Sequence, residues 1–470
     1  MPDSKITTDV ENWESDPGGM MDYYQAISYT LGQSIADLVD NAYDADATEI
    51  DIKIDLDPDT SLPYIRILDN GNGISQEDMN KAMRLGLKRE RNESDLGVYG
   101  IGMKLSALSQ AHEVTVASNK SGIFSLRRIS AHHMRMTNRN ELMKYPTGSA
   151  AFKISRAKLD DENWSTMILL EDVHQASKWQ ELNKSQDISL DKEMKKVKIH
   201  LGLTYHRIIE EKKNTTLKLN GKIIHAQDPF MSWEKDIDYG TVKNEVLIPV
   251  QINGKSVNVK STMAIIPHNK RMTDSKRCNQ INAGYKKKNF MQGFYIYRNK
   301  RLIHYGEWQG RMFGDNTDPH NCLAKILIDI PPKDSTWFGL GPTKTNVDLP
   351  MEFLRKIHSI VGEKRSWKPI RKGKKMSFYD AFQFRYRNEG KKVKKSKSTS
   401  LQAASVSVSS NPATPSVPAP PGQVSKSRTA NRPKSIISNI TEKENTLILT
   451  VDKSDPAYEG LRAQLRMWEP

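Results

Sequence analysis

Three short stretches of this chain combine residue types that could do chemistry with spacings that would let them act together. In ADLVDNAYDADA, Asp37 and Asn41 stand four residues apart, so on a helix they project from one face. A carboxylate there can take a proton from an attacking water, and an amide oxygen can ligate Mg²⁺, a hard cation that wants oxygen. In DNGNG, residues 69–73, Asp69 can accept a hydrogen bond from an exocyclic amine such as that of adenine. Gly71 and Gly73 would let the backbone approach a flat base with no Cβ in the way. In LGVYGIGMKLSALSQA, Gly97, Gly100 and Gly102 free backbone N–H groups to face phosphates ahead of a helix whose positive end favours anions. It is not a Walker A loop, because Met103 stands where the lysine belongs and Lys104 comes one residue late. Taken singly, a polar helix stripe, a plain turn and a glycine-rich helix entry would account for each. Their order along the chain is the stronger signal.

The elements that must position these residues follow from periodicity. Apolar residues recur at three and four from about Tyr23 to Ala45, which predicts one amphipathic helix carrying Asp37 and Asn41. Ile50, Ile52, Ile54 and Leu56 alternate with polar residues, and Ile65 and Ile67 repeat the pattern after DPDTSLP, which predicts two paired strands, the second ending at Asp69. Short alternating runs over 114–170 (VTVAS, IFSLRRIS, AAFKIS, TMILLED) predict a mixed sheet covered on one face by helices, an α/β sandwich. A helical stretch around Ser189–Glu211 leads into a second strand-rich region ending in an amphipathic helix near Pro350–Val361. Residues 399–435 are rich in Ser, Ala, Val and Pro and read as a disordered linker; TLILTVD and YEGLRAQLRMW beyond it read as a small strand and helix.

Composition narrows the class. The charged fraction is 27% and no apolar run approaches the roughly 18–20 residues that cross a bilayer, so a soluble, cytoplasmic protein is expected. The polar N-terminus lacks the apolar core of a secretory signal. Cys278 and Cys322 have no metal-ligand spacing, which suits a reducing compartment and argues against a disulfide scaffold. The formal net charge is +15, and Arg355 through Lys397 alone hold sixteen Lys or Arg against Glu363, Asp380 and Glu389. So local an excess is expected of a handle for phosphates, DNA above all, or of a solvated tail.

A helix with an acidic-x-x-x-Asn pair, then Asp-x-Gly-x-Gly, then a segment closed by Gly-x-x-Gly-x-Gly, resembles the Bergerat nucleotide pocket of the GHKL ATPases. DNAYDADATEI followed by LGVYGIGMKLSALSQ is similar to MORC-type and MutL-type members, the prokaryotic MORC-like ATPases of restriction and defence systems among them. The resemblance implies an N-terminal strap over 1–22, a two-layer ATP-binding domain over 23–178 and an S5-like transducer domain over 179–365. A basic segment over 366–398 and the tail would follow.

The resemblance also implies roles. Asn41 would hold Mg²⁺ and Asp69 would bind adenine, with Gly97, Gly100 and Gly102 wrapping the phosphates of ATP. Lys88, Tyr99, Ile101, Met103 and Lys104 would complete the lid contacts. Thr166 in WSTMILLEDV would support Asp69, although Thr147 and Ser149 in TGSAAFKIS offer a competing alignment. WFGLGPTKTNVDLP resembles the transducer loop whose lysine, here Lys344, reaches the γ-phosphate, and GFYIYRNKRLIHYGEW resembles a transducer strand. Such families usually place Glu at the general-base position. Asp37 is one methylene shorter, so Mg²⁺-dependent hydrolysis is expected to be slow. The implied activity is an ATP-gated homodimeric clamp on DNA, working with partner proteins of a defence system; a chaperone-like ATPase acting on protein clients is the alternative.

Overall fold

A computed structural model describes residues 16–57, 62–84, 93–97, 102–146, 149–160, 163–174, 186–211, 214–235, 238–274, 291–309, 312, 318–341, 344, 347–368, 370, 374–389, 437–443 and 446–451. The chain divides into two compact units, Met1–Ser405 and Val406–Pro470.

The first unit begins with two helices where periodicity predicted one, α1 (Pro17–Ala26) and α2 (Leu31–Asp44). The break has a local cause. Thr30 accepts from the Gln33 N–H through its hydroxyl while the Gln33 side chain accepts from the Thr30 N–H at 3.0 Å, a capping box that starts a new helix. From α2 the chain enters an eight-stranded sheet, in the order β5-β4-β3-β6-β2-β1-β7-β8. Its strands are β1 (Glu49–Leu56), β2 (Pro63–Asp69), β3 (Ala111–Lys120), β4 (Ile123–Ser130), β5 (Met143–Lys144), β6 (Thr166–Val173), β7 (Thr216–Leu219) and β8 (Lys222–Ile223). Neighbours run antiparallel except β1 and β7, which are parallel.

Helices between the strands are α3 (Gln76–Met83), α4 (Gly102–Leu108), α5 (Ala131–Thr137), α6 (Ala150–Asp160), α7 (Gln186–Thr204) and α8 (His206–Glu211). Residues 150–155, expected as a strand, form the start of α6, with Ser149 accepting from the Phe152 N–H to cap it. The alternation there is two residues deep, too short to outweigh a capped helix with a face to bury. That face lies opposite the main helical layer. Ile50, Ile52, Ile65 and Ile67 share one core with Ile35, Leu38 and Val39 of α2 and Val197 and Leu201 of α7, whereas Leu68 and Met167 point the other way onto Phe152 and Leu159 of α6. The α/β sandwich expectation holds, with helices on both faces instead of one.

The expected boundary at 178/179 is overrun: α7, α8, β7 and β8 belong to the first sheet and its core. The second, five-stranded sheet has the order β12-β11-β13-β10-β9. It comprises β9 (Val242–Ile252), β10 (Lys255–Ile265), β11 (Gly293–Arg298), β12 (Arg301–Tyr305) and β13 (Ala324–Asp329), and α9 (Met351–Gly362) packs on β9. Nor does this core stop at 365. Trp367 and, on a further helix over 378–389 (α10), Phe378, Ala381 and Phe382 lie within it, flanked by the short pair β14 (Arg365–Ser366) and β15 (Lys375–Met376). Arg385, counted in the basic segment, is buried against Glu389 at 2.5 Å and cannot meet phosphates, whereas Arg355, Lys364, Lys368, Lys374, Lys375 and Arg387 are exposed.

The second unit shows one antiparallel hairpin, β16 (Ile437–Lys443) and β17 (Thr446–Val451), which takes in the expected terminal strand. The expected strap before residue 16, basic stretch 391–398, linker 399–435 and terminal helix lie outside the described residues. Among the described residues no helix is long and apolar enough to cross a membrane.

Candidate active site

One face of α2 gathers four polar side chains at a spacing of three and four: Asp37, Asp40, Asn41 and Asp44. Asp37 and Asp40 are 2% and 1% exposed, a burial that carboxylates tolerate only with partners. The partners come from the second sheet. Arg301, opening β12, donates from Nε to Asp40 at 2.8 Å and from Nη2 to Asp37 at 3.0 Å. Lys344 reaches Asp40 at 2.5 Å and lies 3.6 Å from Asp37. Tyr205, at the end of α7, donates to Asp40 at 2.6 Å, and Tyr29 donates to Asp37 at 3.1 Å. Two carboxylates thus face two cations in a closed network.

The two acids are not equivalent. Burial is the largest influence on both and raises both. At Asp37 it prevails over Lys344 and Arg301, holding the carboxyl above the usual range; at Asp40 the guanidinium of Arg301 and then Lys344 outweigh it, and the group sits below. Of the pair, Asp37 has the stronger pull on a proton. An ideal Cβ on Gly102 would lie 4.0 Å from its Oδ2, so the end of the glycine-rich segment abuts this carboxylate.

Asn41 donates its amide nitrogen to the Asp37 carbonyl at 2.8 Å. That bond leaves the amide oxygen as the atom for a cation, and an oxygen donor beside a carboxylate fits magnesium. Asp44 accepts from the N–H of Leu96 at 2.6 Å and of Gly97 at 2.9 Å, anchoring the start of the glycine-rich segment to α2. The other side of that anchor is the β11–β12 turn: Arg298 donates to the Asp95 carbonyl at 2.7 Å, and Asn299 to the carbonyls of Glu93 and Asp95 at 2.7 and 3.0 Å. The segment is therefore held by the first sheet's helix and the second sheet's turn at once.

Asp69 ends β2, 5% exposed, with the Gly71 N–H 3.0 Å from Oδ1. Burial pushes its carboxyl up to about 6. Its two glycines are required by the protein itself before any base is considered: a Cβ on Gly71 would stand 2.6 Å from the Ala45 carbonyl, and Gly73, at φ +65°, would meet the Asn119 carbonyl at 2.8 Å. Thr166 pairs across the strands with both Asp69 and Ser118, its hydroxyl 3.3 Å from that of Ser118, which also accepts from the Ile74 N–H. Ser149 is spent on the α6 cap, and Thr147 lies outside the described residues.

Of the remaining sequence-based candidates, Met103 is half-buried against the first core. Lys104 is buried with its ammonium on the carbonyls of Ala82 and Arg84 at 3.0 Å each, closing the end of α3 instead of facing the α2 carboxylates. Lys88, Tyr99, Gly100 and Ile101 lie outside the described residues. Lys344 itself adopts φ +50°, a left-handed backbone uncommon outside glycine that needs support from its surroundings. Sequence reasoning missed Asp40, Asp44, Arg301 and Tyr205. The first two share the helical stripe with Asp37 and could have been found by extending it; Arg301 and Tyr205 sit in ordinary amphipathic patterns.

Comparison with known proteins gives matches over part of the chain. Residues 29–163 match the family described as histidine kinase-, DNA gyrase B- and HSP90-like ATPase. ATPase morc-1 of Caenorhabditis elegans is 34% identical over 97 residues, which is 21% of this chain and 11% of that protein. ATPase MORC2B of Mus musculus is 32% identical over 110 residues, 22% of this chain and 11% of that protein. DNA mismatch repair protein MutL of Listeria monocytogenes serovar 1/2a is 37% identical over 83 residues, 17% of this chain and 13% of that protein. The chain thus spans only about a tenth of the length of these relatives. Residues 29–163, which contain Asp37, Asn41 and Asp69, thus match a GHKL-type ATPase domain and are similar over part of their length to MORC ATPases and MutL.

Proposed function

We propose that this chain binds ATP with Mg²⁺ and hydrolyses it slowly, using the nucleotide to gate the pairing of two copies on DNA. The observation that carries the reading is the buried network in which Asp37 and Asp40 of α2 meet Arg301 and Lys344 of the second sheet. Asp37 takes the proton of the attacking water, Asn41 supplies an oxygen to Mg²⁺, and Asp69 accepts from adenine. When a triphosphate enters, its charge competes with the two carboxylates for Lys344 and Arg301, so nucleotide state is transmitted to the second sheet.

DNA comes from the similarity to MutL, named as a mismatch-repair protein, and from the exposed bases Arg355, Lys364, Lys368, Lys374, Lys375 and Arg387. Contacts of that kind read phosphates without sequence preference and weaken steeply with salt. A place in a bacterial defence or restriction system, with a nuclease supplied by a partner, completes the proposal.

The test is sedimentation of the full chain with a non-hydrolysable ATP analogue, with and without duplex DNA, beside calorimetric titration of ATP with Mg²⁺. Expected are heat of binding that Asn41→Ala abolishes, a shift to dimer only with the analogue, and DNA association lost as salt rises. A monomer under all conditions removes the clamp; no heat with any adenine nucleotide removes the whole reading.

A further inference from the structure

Tyr29 stands in the link between α1 and α2, and it is buried. Its backbone is held on both sides. Its N–H donates to the Ile27 carbonyl at 2.8 Å, the Gln110 amide donates to its carbonyl at 3.4 Å, and the next residue, Thr30, is committed to capping α2. From that seat the ring reaches along α2, and its hydroxyl donates to Asp37 Oδ2 at 3.1 Å. Burial, and after it the Asp37 carboxylate, push the Tyr29 hydroxyl above its ordinary range, so it keeps its proton and stays a donor.

The two oxygens of Asp37 keep different company. Arg301 and Lys344 lie 3.0 and 3.6 Å from Oδ1, whereas Tyr29 meets Oδ2, the oxygen that an ideal Cβ on Gly102 would approach to 4.0 Å. A triphosphate competes for the two cations and so acts on the Oδ1 contacts. A neutral hydroxyl offers a polyanion no comparable attraction, and its bond to Oδ2 persists. That matters because the terminal torsion of an aspartate is broad, and a carboxylate released by its cations turns unless something holds it. A base must come within about 2.6–3.2 Å of its water, and a misplacement of about 1 Å can cost about 10²-fold in rate. The short arm of Asp37 leaves little slack. Oδ2 retains a second lone pair beside the Tyr29 bond, so the carboxylate is held without being used up as an acceptor.

We propose that Tyr29 is a positioning residue for hydrolysis, holding Asp37 on its water once the nucleotide has drawn Arg301 and Lys344 away from the carboxylate. The inference rests on the reading of Asp37 as the general base. It gives the α1–α2 link a part in turnover, because the hydroxyl is aimed from a backbone seated on Gln110.

The experiment is a double-mutant cycle on the full chain with ATP and Mg²⁺, comparing the parent, Tyr29→Phe, Asp37→Asn and the double variant. Single-turnover hydrolysis gives the rate, titration calorimetry the ATP affinity, and a thermal melt the fold. Phenylalanine keeps the ring in its buried seat and removes only the hydroxyl. Tyr29→Phe should hydrolyse about 10–100-fold more slowly at unchanged ATP affinity. In the Asp37→Asn background the same change should cost nothing further, since residues that act as a unit are not additive. Parent-like turnover by Tyr29→Phe beside a slow Asp37→Asn would overturn the role of Tyr29 and leave the base in place. Equal slowing in both backgrounds, or a loss of affinity that matches the loss of rate, would overturn it as well. Parent-like turnover by Asp37→Asn would remove the base itself, and this role with it.

Discussion

Asp69→Asn distinguishes a carboxylate kept for a ligand from one kept for the fold. Burial raises the Asp69 carboxyl from its ordinary 3.8 to about 6, with the Gly71 N–H opposing. At about 1.4 kcal/mol per tenfold change in acidity, holding the group ionised near neutral pH costs the empty protein about 3 kcal/mol. The folded state binds this proton more tightly than the unfolded state does. Its contribution is therefore complete below about pH 4, is lost as pH rises through about 6, and is flat beyond. Asparagine keeps an oxygen for the Gly71 N–H but carries no charge, and burying its NH₂ returns about 1–2 kcal/mol of the gain. The empty variant should melt a few degrees higher than the parent at pH 7.5 and lack the decline between pH 4 and 6. Adenine nucleotides should bind it about 10–100-fold more weakly, the value of a charge-assisted hydrogen bond, and parent affinity should fall towards the variant's as pH drops through about 6. Thermal melting across pH and titration calorimetry with ATP read the two halves. A variant that melts lower at pH 7.5, or binds ATP as the parent does, refutes the reasoning.

Three further outcomes follow from the network on α2. Asp37→Asn should keep ATP binding and slow single-turnover hydrolysis by about 10²–10⁴-fold, the usual worth of a general base; turnover equal to the parent's would remove Asp37 from that role. Lys344→Met leaves Asp40 to Arg301 and Tyr205, so the melt should fall by an amount equivalent to about 3 kcal/mol and turnover should drop more than nucleotide affinity; an unchanged melt would show the ion pair to be idle. Asn299→Ala removes two bonds to the 93–95 carbonyls, so hydrogen exchange at the amides of Leu96 and Gly97 should quicken about fivefold for each bond lost; unchanged exchange would show that Asp44 and Arg298 anchor the segment without it.

Much of this was legible from residue order. Ile50, Ile52 and Ile54 alternate because β1 has one face on the core, and the 37/41 pair is visible because a helix repeats every three to four residues. What stayed hidden depended on contacts between distant segments. Arg301 reads as one more basic residue in NKRLIHY until the second sheet carries it 2.8 Å from Asp40. The same holds for Lys104, whose carbonyl partners on α3 no spacing rule foretells. Arg385 counts as tail charge in composition, yet Glu389 one turn away and the Ile265 carbonyl make it a core residue. The α1–α2 break was readable after all, since Thr30 and Gln33 spell the capping box.

The parallel return of β7 beside β1 has a consequence for anyone trimming the gene. A fragment stopped near residue 178 would keep six strands but lose α7 with its Val197 and Leu201, and the Tyr205 that follows it, from the wall behind Ile35 and Val39. It would also bare the edge of β1, an invitation to stick to its neighbours. The shortest piece with this layer intact runs to about Ile224, whose N–H closes on the Leu217 carbonyl at 2.8 Å. Nucleotide handling in a shorter truncate would report on a damaged wall and not on the pocket.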